Sequence, residues 1–274
     1  MLRNVRAELV KQVNRPANWL LLAIAVAQSL VFAYALPYAG LAGAASGSPV
    51  AGRGIASMLP DRIVGNAIAG LPVFIGAFAL IFGVLVVGSE YGWQTWKTVL
   101  TQRPSRVRVY AGKLVAVAAG TLVLVVTLLA AAAVASAVVA AFEDQPMNWP
   151  GPASLLRGIA AGWLVAMMWG ALGVFLAVAL RGVALPIGLG LVWLLAVQNL
   201  LTAIAAPLLD WVAQLQKGLP GPNAGALAAA LGAPQDTPGV AAIVGSGHAT
   251  LVVVAYLLAF CAVGGWLLHR RDVT

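Results

Sequence analysis

Long apolar stretches alternate with short charged segments along this chain. Because a charge at the centre of a bilayer costs about 2.5 kcal/mol or more, charged residues mark the limits of the stretches that can cross one. Six stretches reach the roughly 20 residues that a crossing helix needs. They are 19–36, 63–88, 114–142, 158–180, 182–209 and 249–268. Since none alternates as the strands of a barrel do, the pattern predicts an all-α polytopic membrane protein. We expect six transmembrane helices in a single domain over residues 1–274.

Residues 1–17 have a different pattern, which predicts an amphipathic interfacial helix before the first crossing. Its apolar positions recur at helical spacing and are Leu2, Val5, Leu9 and Val13. Its basic positions fall largely elsewhere around the helix and are Arg3, Arg6 and Lys11. Such a helix lies in the headgroup layer with its basic face toward anionic lipid. The following apolar stretch is long enough to cross, so we expect it to be retained rather than removed as a signal peptide.

Residues 89–106 connect the second and third crossings and concentrate charge and tryptophan in a chain that has little of either. Apolar side chains at helical spacing are Trp93, Trp96, Val99 and Leu100. Glu90 precedes them, where an acid favours the helix dipole. Pro104 ends the segment, and Ser105 can cap a new helix that runs into the third crossing. The pattern predicts a short helix held between two crossings, although a basic topogenic loop with interfacial tryptophans explains part of it.

Residues 207–248 form the longest segment on the other side of the membrane. Within it, LLDWVAQLQ predicts a short amphipathic helix and NAGALAAALG a weakly apolar one. Periodicity leaves open whether these helices lie at the surface or re-enter the bundle.

Composition agrees with lipid as the solvent: 62% of the residues are hydrophobic, 9% are charged, and the mean hydropathy is +0.95. The net charge of +8 does not indicate nucleic-acid binding, because cytoplasmic loops of membrane proteins collect Lys and Arg. Of the 16 Lys and Arg residues, only Arg53, Arg62, Arg157 and Lys217 fall on one side of the predicted crossings. The excess on the other side places both termini in the cytoplasm of a multi-pass cell-membrane protein.

The residues of common catalytic and ion-coupled sites are missing from the sequence. His248 and His269 flank the last crossing on opposite sides, and the single cysteine, Cys261, has no partner for a disulfide or metal site. No phosphate-binding loop of the G-x-x-x-x-G-K-[ST] type is present. No acidic pair lies within a crossing, where a proton relay would need one. We therefore expect no catalytic, cofactor or metal site in this chain.

The connector motifs, taken in order, resemble the signature of type-2 ATP-binding-cassette (ABC-2) exporter permeases. These motifs are Glu90-Tyr91, Thr95, Leu100-Thr101, Pro104-Ser105-Arg106 and Gly112-Lys113-Leu114. The beginning of the chain, with Glu8-Leu9-Val10-Lys11, and its end, with Arg270-Arg271-Asp272, are also similar to the family. One departure is Gln94, which stands where the family often has glycine.

The resemblance implies a permease that pairs with a second copy or a homologous permease. It also implies two cytoplasmic ATPase subunits, which carry ATP and Mg, and membrane lipids as further partners. Residues 1–17 would be the elbow helix, and residues 89–106 would carry a coupling helix seated on the ATPase. The implied contact residues are Glu90, Tyr91, Trp93, Thr95, Trp96, Lys97, Arg103, Ser105 and Arg106.

The expected cargo is a hydrophobic or amphipathic molecule moved outward, because no charged lining is visible; sodium export, known in the wider family, stays open. The alternatives are a non-transporting membrane anchor that recruits a cytoplasmic partner, and a secondary transporter. Polar residues in or near the crossings, such as Gln28 and Gln198, give the latter little support, since hydrogen bonds between helices explain them equally well.

Overall fold

A computed structural model describes residues 2–41, 43, 51–92 and 105–270. The helices of this part of the chain are α1 (Leu2–Val13), α2 (Pro16–Leu41), α3 (Ile63–Ile68), α4 (Phe74–Gly92), α5 (Arg106–Phe142), α6 (Pro152–Leu180), α7 (Ala184–Leu208), α8 (Asp210–Leu215), α9 (Pro220–Ala230) and α10 (Ser246–Arg270). Short 3-10 turns occupy Ala51–Arg53, Ile55–Met58, Pro60–Arg62 and Gln216–Gly218.

Six of these helices are long and apolar enough to cross a membrane, namely α2, α4, α5, α6, α7 and α10. The predicted fold class, an all-α polytopic membrane protein, is confirmed. Two of the six contain π-helical turns: Val31–Ala35 in α2, and Val192–Val197 and Leu201–Ala205 in α7. Helix α5 has 37 residues and is therefore about 55 Å long. Because that exceeds a hydrocarbon core of about 30 Å, α5 reaches beyond the apolar layer.

Helices α4 and α6 form the centre of the bundle. Among the most apolar 18 residues of each helix, 61% are buried in α4 and 67% in α6. The corresponding share is 17% in each of α2, α7 and α10. Glycines make this close packing possible, since a Cβ on Gly83 would strike the carbonyl of Gly170, and one on Gly173 would strike the carbonyl of Leu80. Small residues at contacts between membrane helices have this role generally.

The prediction of one continuous helix for the second crossing, residues 63–88, is wrong. The structure divides it into α3 and α4, separated by a turn at residues 69–73. Pro72 explains the break, because it lacks an amide hydrogen and restricts the residue before it. The amide of Ile75 donates instead to the carbonyl of Gly70 at 2.8 Å, which closes the turn. Every residue of α3 is buried, and the helix packs against α5 and α6.

The segment after α7 contains the two short helices that the sequence predicts. The structure shows which of them lies at the surface and which enters the bundle. Helix α8 has only one buried residue, Val212. Helix α9, in contrast, is buried at every position from Pro220 to Ala228 and packs against α10, α6 and α3. Asn223 fixes its start by donating from Nδ2 to the carbonyls of Lys217 and Leu219 at 2.8 and 2.7 Å. The segment therefore re-enters the bundle through α9.

The two ends of the bundle are held by different polar contacts. At one end, the Tyr38 hydroxyl donates to Glu143 at 2.7 Å, and Arg53 pairs with both carboxylate oxygens of Asp236 at 2.7 and 2.8 Å. At the other end α4 finishes and α5 begins, beside α1 and the last turn of α10. We call this second end the connector end.

Candidate functional site

Helix α1 packs against the start of α5 and places acidic and amide side chains on its buried face. Glu8 and Gln12 are 9% and 7% exposed, respectively. Of the predicted apolar stripe, Val5 and Leu9 are partly buried, whereas Val13 is 59% exposed. The inward face of α1 is therefore more polar than its apolar spacing predicted.

Lys113, in the second turn of α5, is the centre of a buried ionic cluster. Its side chain is 1% exposed. Its ammonium group lies 3.1 Å from an oxygen of Glu90 on α4, and 3.3 and 3.4 Å from the two oxygens of Glu8 on α1. It also donates to the carbonyl of Val86 at 3.1 Å. One side chain thus joins three helices.

Lys11 and Arg15 complete the cluster from α1 and the turn after it. Lys11 Nζ lies 2.6 Å from Glu90 and 3.3 Å from Glu8. This contact differs from the expectation that Lys11 points toward lipid headgroups. Arg15 donates to the carbonyl of Leu85 at 3.1 Å. Burial lowers the pKa of its guanidinium, while Glu90 and Glu8 oppose that shift; an arginine nevertheless keeps its charge.

The charges of the cluster explain how it can be buried. Two carboxylates, Glu8 and Glu90, face two ammonium groups, Lys11 and Lys113, and lie near the guanidinium of Arg15, so each carboxylate has cations beside it. A buried charge is tolerated when it is paired and its remaining hydrogen-bonding capacity is used. Removing one partner from such a site leaves an uncompensated charge, which is strongly destabilising. We therefore expect the cluster to hold one arrangement of α1, α4 and α5.

The first turns of α5 contact α1 and α4 through Lys113 and contact α10 on another face. The Tyr110 hydroxyl donates to the carbonyl of Cys261 at 3.0 Å, beside Gly264, where a Cβ would collide with it. Arg106 Nη1 lies 3.5 Å from the carbonyls of Leu268 and His269. A cation there complements the negative end of the α10 dipole. The helix that begins after the connector is therefore held from two sides.

Ser105 caps α5, as the sequence predicted. Its backbone is extended, and its side-chain oxygen accepts from the Arg108 amide at 3.4 Å. The cap satisfies one of the amides that the first turn of a helix leaves without a partner. Ser105 thus sets the point at which the connector ends and α5 begins.

Comparison with protein families identifies the chain. A family model described as "ABC-2 family transporter protein" matches residues 5–197, which is more than half of the sequence. The chain belongs to this family. It is therefore a multi-pass transmembrane permease of an ABC-2 transporter, and the resemblance inferred from the connector motifs is confirmed. No curated protein sequence matches the chain significantly.

The structure of this ABC-2 permease describes four of the predicted contact residues. Glu90, at 2% exposed, belongs to the ionic cluster, and Tyr91 is partly buried beside the core. Ser105 and Arg106 lie at the start of α5. The remaining predicted contacts lie outside the described residues and are Trp93, Thr95, Trp96, Lys97 and Arg103. On α1, the side chains of Leu2 and Arg3 are also outside the description, whereas Arg6 is exposed. Contact of the connector residues with an ATPase stays a prediction, as does contact of Leu2, Arg3 and Arg6 with the membrane surface.

Sequence reasoning did not assign Glu8 or Lys113 to a site, although both occur in the motifs that resemble the family. In the sequence, Lys113 marks only the point at which the third crossing begins. One signal was available: an ionisable residue at the edge of an apolar helix needs a partner, and few acids are available in a chain with 8 Asp and Glu. The residues that pair are 105 and 23 positions apart, so spacing alone could not join them.

Metal binding has no visible basis in the described ranges. Across residues 2–41, 51–92 and 105–270, no three His, Cys, Asp or Glu side chains are close enough together to hold a metal ion.

Proposed function

We propose that this permease moves a hydrophobic or amphipathic molecule outward, driven by ATP hydrolysis on separate cytoplasmic ATPase subunits. The connector between α4 and α5 is the part that the ATPase moves. ATP and Mg bind to the partner, while this chain supplies the pathway together with a second permease copy or a homologous permease.

The observation that carries this proposal is the ion pair between Glu90 and Lys113. Glu90 lies in the last turn of α4 and Lys113 in the second turn of α5, so their 3.1 Å contact joins the two ends of the connector. A displaced connector would then move both helices together instead of bending one of them. Because Lys113 also contacts Glu8, and Arg106 contacts the end of α10, α1 and α10 would follow.

Coupling requires that the ATPase contacts two states of the permease differently. A rigid connector end supports this requirement, since force applied at the connector is passed to α4, which together with α6 is the most enclosed of the six crossing helices. An anchoring subunit without a transport role has no need for such a rigid junction between its crossing helices.

The apolar character of the proposed cargo is supported by where charge occurs in the sequence. No Asp, Glu, Lys or Arg falls in residues 16–41, 114–142 or 184–208. Charge in the other crossing helices lies near their ends. A pathway through the bundle therefore offers apolar contacts, which suit a lipid-like molecule or an amphipathic peptide better than a polar ion.

Co-expression with the genes next to the permease gene tests the proposal. We expect a Walker-motif ATPase to purify with the permease, and inside-out vesicles that contain both to accumulate an amphipathic fluorescent dye when ATP is added. A catalytically dead ATPase is the control, because it assembles but cannot drive accumulation. An ATPase that co-purifies without any ATP-dependent transport would favour the membrane-anchor alternative. Absence of an associated ATPase would overturn the proposal.

A further inference from the structure

An apolar cavity of about 170 Å³ lies between α1, α2, α4 and α5, next to the ionic cluster but separate from it. Its walls include Leu22, Phe78, Phe82 and Leu124. An apolar cavity of about 150 Å³ is large enough to bind benzene. The cavity can therefore hold several methylene groups of an alkyl chain.

The cavity opens toward the surface that faces lipid. Val13, Trp19 and Val123 line it and are 59%, 54% and 51% exposed. Large apolar side chains at this exposure are expected where the neighbouring solvent is hydrocarbon. Because α1 is amphipathic and α2 begins the first crossing, the opening lies at the boundary between headgroups and acyl chains.

Two amides give the cavity a polar end. Asn18 donates from Nδ2 to the side-chain oxygen of Gln12 at 3.0 Å and to its backbone carbonyl at 2.8 Å. This leaves Gln12 Nε2, on a side chain that is 7% exposed, and Asn18 Oδ1 buried without a hydrogen-bond partner. Both residues line the cavity. A buried donor and a buried acceptor without partners are costly, and native proteins normally satisfy them.

The chemistry of a ligand follows from this arrangement. A hydroxyl group accepts from one partner and donates to another, so one hydroxyl can satisfy Gln12 Nε2 and Asn18 Oδ1 at once when the two amide groups turn toward the cavity. An alkyl chain attached to the same molecule matches the apolar walls. Arg6 is exposed on α1, three residues before Leu9, which lines the cavity, and a cation at the membrane surface favours an anionic headgroup over a zwitterionic one.

We propose that this cavity is a binding site for an anionic membrane lipid whose headgroup carries a hydroxyl, as in phosphatidylglycerol. One acyl chain enters the cavity between α2, α4 and α5, and a headgroup hydroxyl bonds to Gln12 and Asn18. The lipid is a resident ligand of the membrane layer at the connector end, and is distinct from the transported cargo. Its binding stabilises α1 against the bundle.

Native mass spectrometry of the purified full-length permease tests lipid preference. Three dioleoyl lipids serve as probes: phosphatidylglycerol, phosphatidylmethanol, which is anionic without a free hydroxyl, and phosphatidylcholine. We expect phosphatidylglycerol to bind about three- to tenfold more tightly than phosphatidylmethanol, the range expected for one additional hydrogen-bonded group. Equal binding of these two anionic lipids would overturn the assignment of the hydroxyl.

Two substitutions test the location of the site. Gln12→Met keeps the size of the side chain but removes the donor, so the preference for phosphatidylglycerol over phosphatidylmethanol should disappear. Ala119→Phe fills the cavity, which Ala119 lines, and should lower binding of phosphatidylglycerol about tenfold. The matched controls are Asn14→Met, which changes an exposed amide just after α1, and Ala130→Phe, which adds the same bulk at an exposed position of α5. Neither control should change lipid binding.

Unchanged phosphatidylglycerol binding in both Gln12→Met and Ala119→Phe would overturn the site. Gel filtration of each variant shows whether it is folded, and Gln12→Met decides the outcome if Ala119→Phe aggregates. The binding is measured without an ATPase and therefore does not depend on the proposed transport function.

Discussion

Lys113 is the residue on which the connector end depends most. Its ammonium group contacts carboxylates on two other helices and a backbone carbonyl, while its side chain is 1% exposed. Lys11 contacts the same two carboxylates but is 34% exposed. The two lysines therefore share the same carboxylate partners, but water can solvate only the ammonium group of Lys11.

The first prediction concerns the loss of Lys113. Lys113→Met removes the most deeply buried cation beside the carboxylates of Glu8 and Glu90, and we expect the stability of the permease to fall by about 3–5 kcal/mol. Thermal unfolding in detergent, followed by tryptophan fluorescence, measures this loss. Lys11→Met is the matched control and should cause a clearly smaller loss, because its ammonium group is partly hydrated. Equal losses in the two variants would contradict the central position of Lys113.

A second prediction concerns the pairing of Glu90 with Lys113. In a double-mutant cycle, Glu90→Met and Lys113→Met should not be additive, because the double variant removes both buried charges whereas each single variant strands one. We expect the double variant to be more stable than the Lys113→Met single variant. Chemical unfolding of the three variants measures the difference. Additive losses would show that the two side chains do not interact.

At the residue scale, the sequence pointed to Glu90 and to the Ser105 cap but did not predict the ionic cluster. Glu90 stands out in the sequence because an acid before the predicted connector helix favours its dipole, and Ser105 because a serine after Pro104 fits a helix cap. The partners of Glu90 could not be found in the same way, since they lie on α1 and α5 and only packing brings them together. Glu90 is also buried, so it is not on the surface where the predicted contact with an ATPase would be made.

At the scale of single helices, Ser105 and the crossing of α4 with α6 offer separate tests. Ser105→Ala removes the side-chain oxygen that accepts from the Arg108 amide. A lost cap costs about 0.5–2 kcal/mol, and the 3.4 Å distance places the expected loss near the lower limit. Hydrogen exchange at the first amides of α5 should become faster. Ser105→Asp should retain slow exchange, and equal exchange in Ser105→Ala and the unchanged protein would contradict the cap.

The fourth prediction concerns glycine at the contact of α4 with α6. Gly83→Ala places a Cβ against the carbonyl of Gly170, so we expect a loss of about 1–3 kcal/mol from overpacking. The control is Gly188→Ala on α7, where the added Cβ meets open space and alanine favours the helix. Thermal unfolding should separate the two. If Gly83→Ala were as stable as Gly188→Ala, the close approach of α4 and α6 would be wrong.

The sequence predicted the long helices well because length and hydropathy alone decide whether a segment can cross a membrane. It predicted poorly where the chain turns inside the apolar layer. The break at Pro72 was hidden by the apolar residues around it, and hydropathy cannot distinguish a buried turn from a helix. For α9, low amphipathicity left two positions open, and only its contacts with α6 and α10 show that it is buried.

At the scale of the whole molecule, the polar contacts divide the permease into two ends with different properties. At the connector end, buried charges join α1, α4 and α5, and Arg106 extends the junction to α10. At the opposite end, the Arg53–Asp236 pair joins two segments outside the crossing helices. If the connector receives force from an ATPase, the first junction has to transmit it, and the second does not.

The most direct test of this account is the ATPase activity of the assembled transporter in lipid nanodiscs. Permeases that carry both Glu90→Met and Lys113→Met should still assemble with the ATPase. Their stimulation of ATP hydrolysis should fall at least about fivefold, the lower limit of a typical allosteric coupling between two sites. Arg53→Met with Asp236→Met removes the same number of charges at the opposite end and should leave the stimulation unchanged. Full stimulation in an intact complex that lacks the Glu90–Lys113 pair would contradict the account.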